Sequence, residues 1–145
     1  MQKLTRHFII FMLIVLFALL LDIISTYCAL LFSCFCFEHD PSVQSLIRYL
    51  GKEIGLLVYF FISATMYVGA LFLLDLYKFY ITEGTFSISL GFGHSLAGIS
   101  NISIYLNILW IHSALREFLL VIEGWLFVPT LLILLVEFCC KKRNG

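Results

Sequence analysis

Charge is what this sequence has least of. Of 145 residues only 12% are charged and 62% are apolar, and nine Lys+Arg balance nine Asp+Glu for a formal net charge of zero. Soluble domains run at roughly 25% charged and about 45–50% apolar, so a chain of this composition would expose large apolar patches in water. A soluble domain is ruled out on that ground, and the lipid bilayer is the expected solvent. The zero balance also removes the basic surface that nucleic acid requires. Phosphate-cradling glycine motifs of the GxxxxGK[ST] or GxGxxG type are absent, and no loop is long enough to fold as a catalytic domain. Proline occurs twice, at Pro41 and Pro129, and neither interrupts the first two apolar runs. The five cysteines form no CxxC pair and meet no histidine at zinc-finger spacing, so no disulfide framework, metal or other cofactor is expected. Cys34 and Cys36, like Cys139 and Cys140, sit too close in sequence to bridge easily and read as small apolar fillers. Cys139 and Cys140 beside Lys141, Lys142 and Arg143 are also an acylation candidate in a host with that chemistry.

What is present is long apolar sequence. Four runs, at about 8–37, 54–77, 86–111 and 118–140, each reach the ~20 residues that a membrane-crossing helix needs. The expectation is an all-α integral membrane bundle of four transmembrane helices, a single domain over 1–145. The first run follows Lys3, Arg6 and His7 as a signal peptide would, but it far exceeds an h-region of about 7–15 residues and contains Asp22, so it is read as a retained span. An even number of spans puts Lys3, Arg6, Lys78, Lys141, Lys142 and Arg143 on one side and Arg48, Lys52 and Arg116 on the other. That bias favours both termini in the cytoplasm, with the cell membrane as the location.

After the first span come Glu38, His39, Asp40 and Pro41. Asp40 as N-cap, Pro41 at the first helical position and Gly51 as terminator predict a short helix. It is amphipathic, with Val43, Leu46, Ile47 and Leu50 on one stripe. The third run is the least apolar and the richest in glycine and serine, which favours close packing among other helices. Tyr77, Phe79, Tyr80, Trp110 and Trp125, near the run ends, fit interfacial belts.

Polar groups inside these runs are the candidate site. A carboxylate near the middle of a span costs at least ~2.5–3.5 kcal/mol, so Asp22 should face the interior, and helical spacing puts Ser25, Thr26, Ala29 and Ser33 on its stripe. In the third run His94, Gly98, Asn101, Tyr105, Ile108 and His112 share one helical face, at i, i+4, i+7, i+11, i+14 and i+18. The fourth run carries Glu123, Thr130 and Glu137 at seven-residue steps, with Pro129 available to kink it and Glu137 near the basic tail. Asp22, Thr26, His94, Asn101 and Glu123 are thus a polar intramembrane cluster, read either as interhelical hydrogen bonds that fix which helices are neighbours or as a proton relay, ion site or catalytic centre. No HExxH or HxxxH pair supports a metal, although His94 with Asp22 or Glu123 supplies ligand types. Ser95 adjoins His94 but points elsewhere on a helix, which leaves Ser25 or Ser63 across helices as the nucleophile of any hydrolase.

Asp22 followed by Thr26, then Glu38-His39-Asp40-Pro41 and Gly51, resembles the pattern of domain of unknown function family 5658, small prokaryotic multi-span membrane proteins. Their pattern has an Asp and a Thr four residues apart in the first helix and Glu-x-Asn-Pro at its end. The likeness covers about residues 16–75 and departs at Asp40, where the family has Asn. It implies a helical membrane domain in which Asp22, Thr26, Glu38 and Asp40 matter, and it brings no activity. The expected function is non-catalytic: a small subunit or accessory protein packing against other membrane helices in a complex or with its own copies. A proton- or cation-handling module using Asp22, His94 and Glu123, and an intramembrane enzyme using the same cluster, are the alternatives.

Overall fold

A computed structural model describes residues 6–32, 41–106 and 108–144, without the side chains at 32, 105, 109, 116, 119–127, 143 and 144. The chain is all-α in these residues, with helices α1 (Arg6–Phe32), α2 (Pro41–Leu50), α3 (Lys52–Leu76), α4 (Tyr80–Tyr105) and α5 (Leu109–Asn144). α1 contains neither glycine nor proline over its 27 residues, about 40 Å of helix. α2 starts at Pro41, where a missing N–H costs nothing, and ends at Gly51, whose N–H donates to the Ile47 carbonyl at 2.9 Å. Gly51 has φ 83 and ψ 167, a conformation that is essentially glycine's alone, and α3 leaves from it at once. The amphipathic helix expected after the first run is therefore present.

α1 and α3 are the two helices among the described residues that are long and apolar enough to cross a membrane. α4 is diluted by its glycines and serines, as its sequence foretells. One expectation needs correction. The third apolar run, which the sequence carries to about 111 with His112 on the face of His94, is not one helix: α4 ends at Tyr105 and α5 begins at Leu109. Trp110 and His112 thus belong to α5. No Gly or Pro marks the break; the sequence offers only Asn107, a residue that competes with helix. A local bond and a longer one secure the break: the Ile108 N–H returns to the Ser103 carbonyl at 2.8 Å, and His112 Nδ1 lies 2.8 Å from Ser100 Oγ, twelve residues back, in a buried pair.

The four long helices α1, α3, α4 and α5 run alternately up and down, so α1 and α4 are parallel. Their seam is built on glycine. A Cβ on Gly84 would stand 3.3 Å from Phe11, on Gly91 3.1 Å from Ile14, and on Gly98 3.7 Å from the Asp22 Cα. These glycines recur every seven residues, and α1 answers in the same period: Phe8, Val15 and Ala29 are buried, as are Ala18 and Ser25, with Asp22 half-buried in the first of these series. α3 lies antiparallel to α1. Phe8, Val15 and Leu71 form a core at one end, and Leu30, Val43, Ile47 and Leu56 form another at the opposite end, where α2 docks. α2 lies so close that a Cβ on Gly55 would meet the Ile47 backbone N at 2.8 Å. Lys52 donates from Nζ to the Leu30 carbonyl at 2.7 Å, closing the end of α1. α5 packs chiefly on α4. The outward faces are apolar: Leu13, Phe17 and Leu20 on α1, Leu57, Phe61 and Met66 on α3, and Leu132, Leu135 and Val136 on α5 are all exposed.

Candidate functional site

The seven-residue seam brings the half-buried Asp22 of α1 against α4, where His94 and Asn101 stand two turns apart on the facing stripe. His94 Nδ1 is 2.8 Å from Asp22 Oδ2, with both side chains largely covered. Asn101 Nδ2 donates to Thr26 Oγ1 at 2.8 Å and reaches Asp22 Oδ1 at 3.3 Å and Ser25 Oγ at 3.4 Å. Both carboxyl oxygens of Asp22 are therefore engaged. The far nitrogen of His94, Nε2, lies 3.3 Å from the Tyr67 hydroxyl of α3, the two rings 5.6 Å apart and tilted by 56°. Asp22, His94 and Tyr67 form one hydrogen-bonded line across three helices, with Asn101 clamping its carboxyl end to Thr26.

Two uses of this geometry follow from elementary chemistry. Interhelical hydrogen bonds are worth about 0.6–2 kcal/mol each in a membrane. Their larger effect is on register: sliding α4 along α1 would strand a carboxyl, an imidazole and an amide without partners, whereas apolar seams tolerate sliding. A carboxyl–imidazole–phenol line can also pass a proton, since imidazole donates from one nitrogen while accepting at the other. The arrangement offers little to nucleophilic catalysis. Ser25 donates its hydroxyl to the Asp22 carbonyl at 2.7 Å and Ser95 donates to the Gly91 carbonyl at 2.7 Å, so each commits its proton to backbone. No group of three or more His, Cys, Asp or Glu capable of holding a metal occurs among the described residues.

Of the residues singled out in the sequence, Asp22, Thr26, His94 and Asn101 come together. The side chain of Glu123 lies outside the described residues, as do Glu38, His39 and Asp40; Pro41 is exposed at the start of α2. Tyr67 was not anticipated, because a tyrosine in an apolar run reads as packing. Nor was the role of Glu137, read from the sequence as interfacial. α4 has Phe79 at its N-cap and no side-chain cap of its own. Glu137 of α5 supplies one, accepting from the Ile81 N–H at 3.1 Å, the Thr82 N–H at 3.0 Å and the Thr82 hydroxyl at 2.5 Å. Lys141, one turn on, donates to the Tyr77 carbonyl and sits 4.0 Å over the Phe79 ring. The signal that could have found this cap was the apolar residue at the N-cap position of α4.

No protein-family model matches the chain, and no curated protein or solved structure matches it.

Proposed function

We propose that this chain is a four-span membrane protein with both termini in the cytoplasm, acting as a non-catalytic subunit or accessory protein that packs with other membrane helices or with its own copies. The observation that carries this reading is the inside-out distribution of polarity. The apolar side chains of α1, α3 and α5 point outward in numbers that water would not tolerate, while Asp22, His94, Asn101 and Thr26 satisfy one another inside. The spans are drawn on α1, on α3, on α4 from about residue 86, and on α5. At 36 residues, about 54 Å, α5 exceeds the ~30 Å hydrocarbon layer and projects beyond it. Purification from native membranes in mild detergent, with native mass and identification of co-eluting chains, tests the role. A stoichiometric unlike partner or a defined homo-oligomer is expected; a strictly monomeric chain would contradict it.

The line from Asp22 through His94 to Tyr67 favours one second reading, a proton-handling module. The isosteric change Asp22→Asn separates the two. In the assembly role the variant keeps its partners and native mass, because an amide preserves shape and hydrogen bonding. In the proton-handling role, proton flux into vesicles carrying the protein is abolished while assembly is intact.

A further inference from the structure

At the start of α4 stands a carboxyl group that the cluster does not use. Glu83 is fully buried in the first turn, and neither of its carboxyl oxygens has a hydrogen-bond partner among the described residues. Ser87, one turn on and equally buried, donates its hydroxyl to the Glu83 backbone carbonyl at 2.8 Å and leaves the side chain unserved. Glu137 is the contrast at the same end of the bundle: three donors serve it. A carboxylate withdrawn from water with no donor is strongly disfavoured, whereas the acid form carries no charge to solvate. We propose that Glu83 is a proton-binding site, held as the neutral acid while α1, α3 and α4 are packed, and that its ionisation loosens this end of the bundle.

The nearest acidic neighbour acts in the same direction as burial, and the basic groups at this end are exposed or engaged elsewhere. From α3 comes Asp75, whose negative charge opposes ionisation of Glu83. α5 brings Glu137 and Lys141 to this end, the first engaged by Ile81 and Thr82 and the second by Tyr77. α1 brings Arg6 and His7, and the turn before α4 brings Lys78, all three exposed to solvent. Glu83 itself precedes the segment read as the third span. Burial first, and Asp75 second, push its carboxyl from the ordinary 4.5 up to about 7. The neutral-acid stability is fully present below the unfolded value and is lost as pH rises through about 7. This inference stands apart from the assembly role.

The test is thermal unfolding of the full chain in lipid nanodiscs from about pH 5 to about pH 9, wild type against Glu83→Gln. The wild-type midpoint is expected to fall as pH rises through neutrality, and the variant's to stay level and exceed it on the alkaline side. A variant that keeps the wild-type pH dependence, or a wild type that has none, overturns the proposal. Should Glu83→Gln fail to accumulate, infrared spectra of wild type and Asp75→Asn decide it. A protonated-carboxyl band that vanishes with rising pH, and does so at lower pH in Asp75→Asn, is the supporting result; a band absent, or indifferent to Asp75, is the overturning one.

Discussion

α1 and α5 both lie against α4, and they are held in opposite ways. α1 runs parallel to α4 on a glycine seam, its backbone close enough at Gly98 that Asp22 Cα would touch an added Cβ, and its polar groups meet in mid-seam. α5 runs antiparallel, and its described polar contacts with α4 lie near its ends, Ser100–His112 at one and Glu137 with Ile81 and Thr82 at the other. These are two ways of holding one helix: close backbone approach with polar pairing in mid-seam, or hydrogen bonds near the two ends, one between side chains and one from a carboxylate to the backbone N–H groups that the helix start leaves open. The first fixes register along a helix, and the second pins two points.

The difference can be probed by substitution, and the largest effect is expected in the seam. Asp22→Ala strips His94 Nδ1 of its 2.8 Å partner inside the seam, while Asn101 keeps Thr26, and should cost about 3–5 kcal/mol, read as the shift in a denaturation midpoint in detergent. Next comes Gly91→Leu, which drives a branched side chain into Ile14 and should cost about 1–3 kcal/mol. At the α5 interface, Glu137→Ala removes the acceptor for two backbone N–H groups of α4. A loss of about 1–2 kcal/mol is expected, with the α1–α4 contact intact by cross-linking. The smallest effect belongs to Gly93→Ala, two residues from Gly91 but with nothing within 4 Å of the added Cβ; it should cost nothing measurable and gains helix propensity of up to about 1 kcal/mol. If Gly93→Ala and Gly91→Leu cost alike, the seam is not where destabilisation arises.

Much of the α1 side of this comparison was readable in the residues. Asp22, Ser25, Thr26 and Ala29 fall on one helical stripe by spacing alone, and a carboxyl group in apolar sequence has to face inward, so the stripe identified its own buried face. Pro41 and Gly51 bracketed α2 because their backbone preferences act locally. The α4–α5 side was not readable. The break between Tyr105 and Leu109 carries no strong turn residue and depends on Ser100 meeting His112, a contact made only after the chain folds back. Glu137 pairs with backbone N–H groups that the apolar N-cap residue of α4 leaves open, and nothing in the sequence says which side chain fills them. Tyr67 was missed for a similar reason: its ring packs as any apolar residue would, and only the position of His94 gives its hydroxyl a partner.

Parallel α1 and α4 in one fixed register is the claim on which the rest depends, and cysteine cross-linking in native membranes measures it. In a chain whose five cysteines are replaced by serine, the pair Ile14→Cys with Gly91→Cys should form a disulfide readily, because a Cβ on Gly91 lies 3.1 Å from the Ile14 Cγ2. Ile14→Cys with Gly98→Cys, one repeat further along, should not. Efficient cross-linking of the second pair, or none of the first, would contradict the register that Asp22, His94 and Asn101 are argued to set.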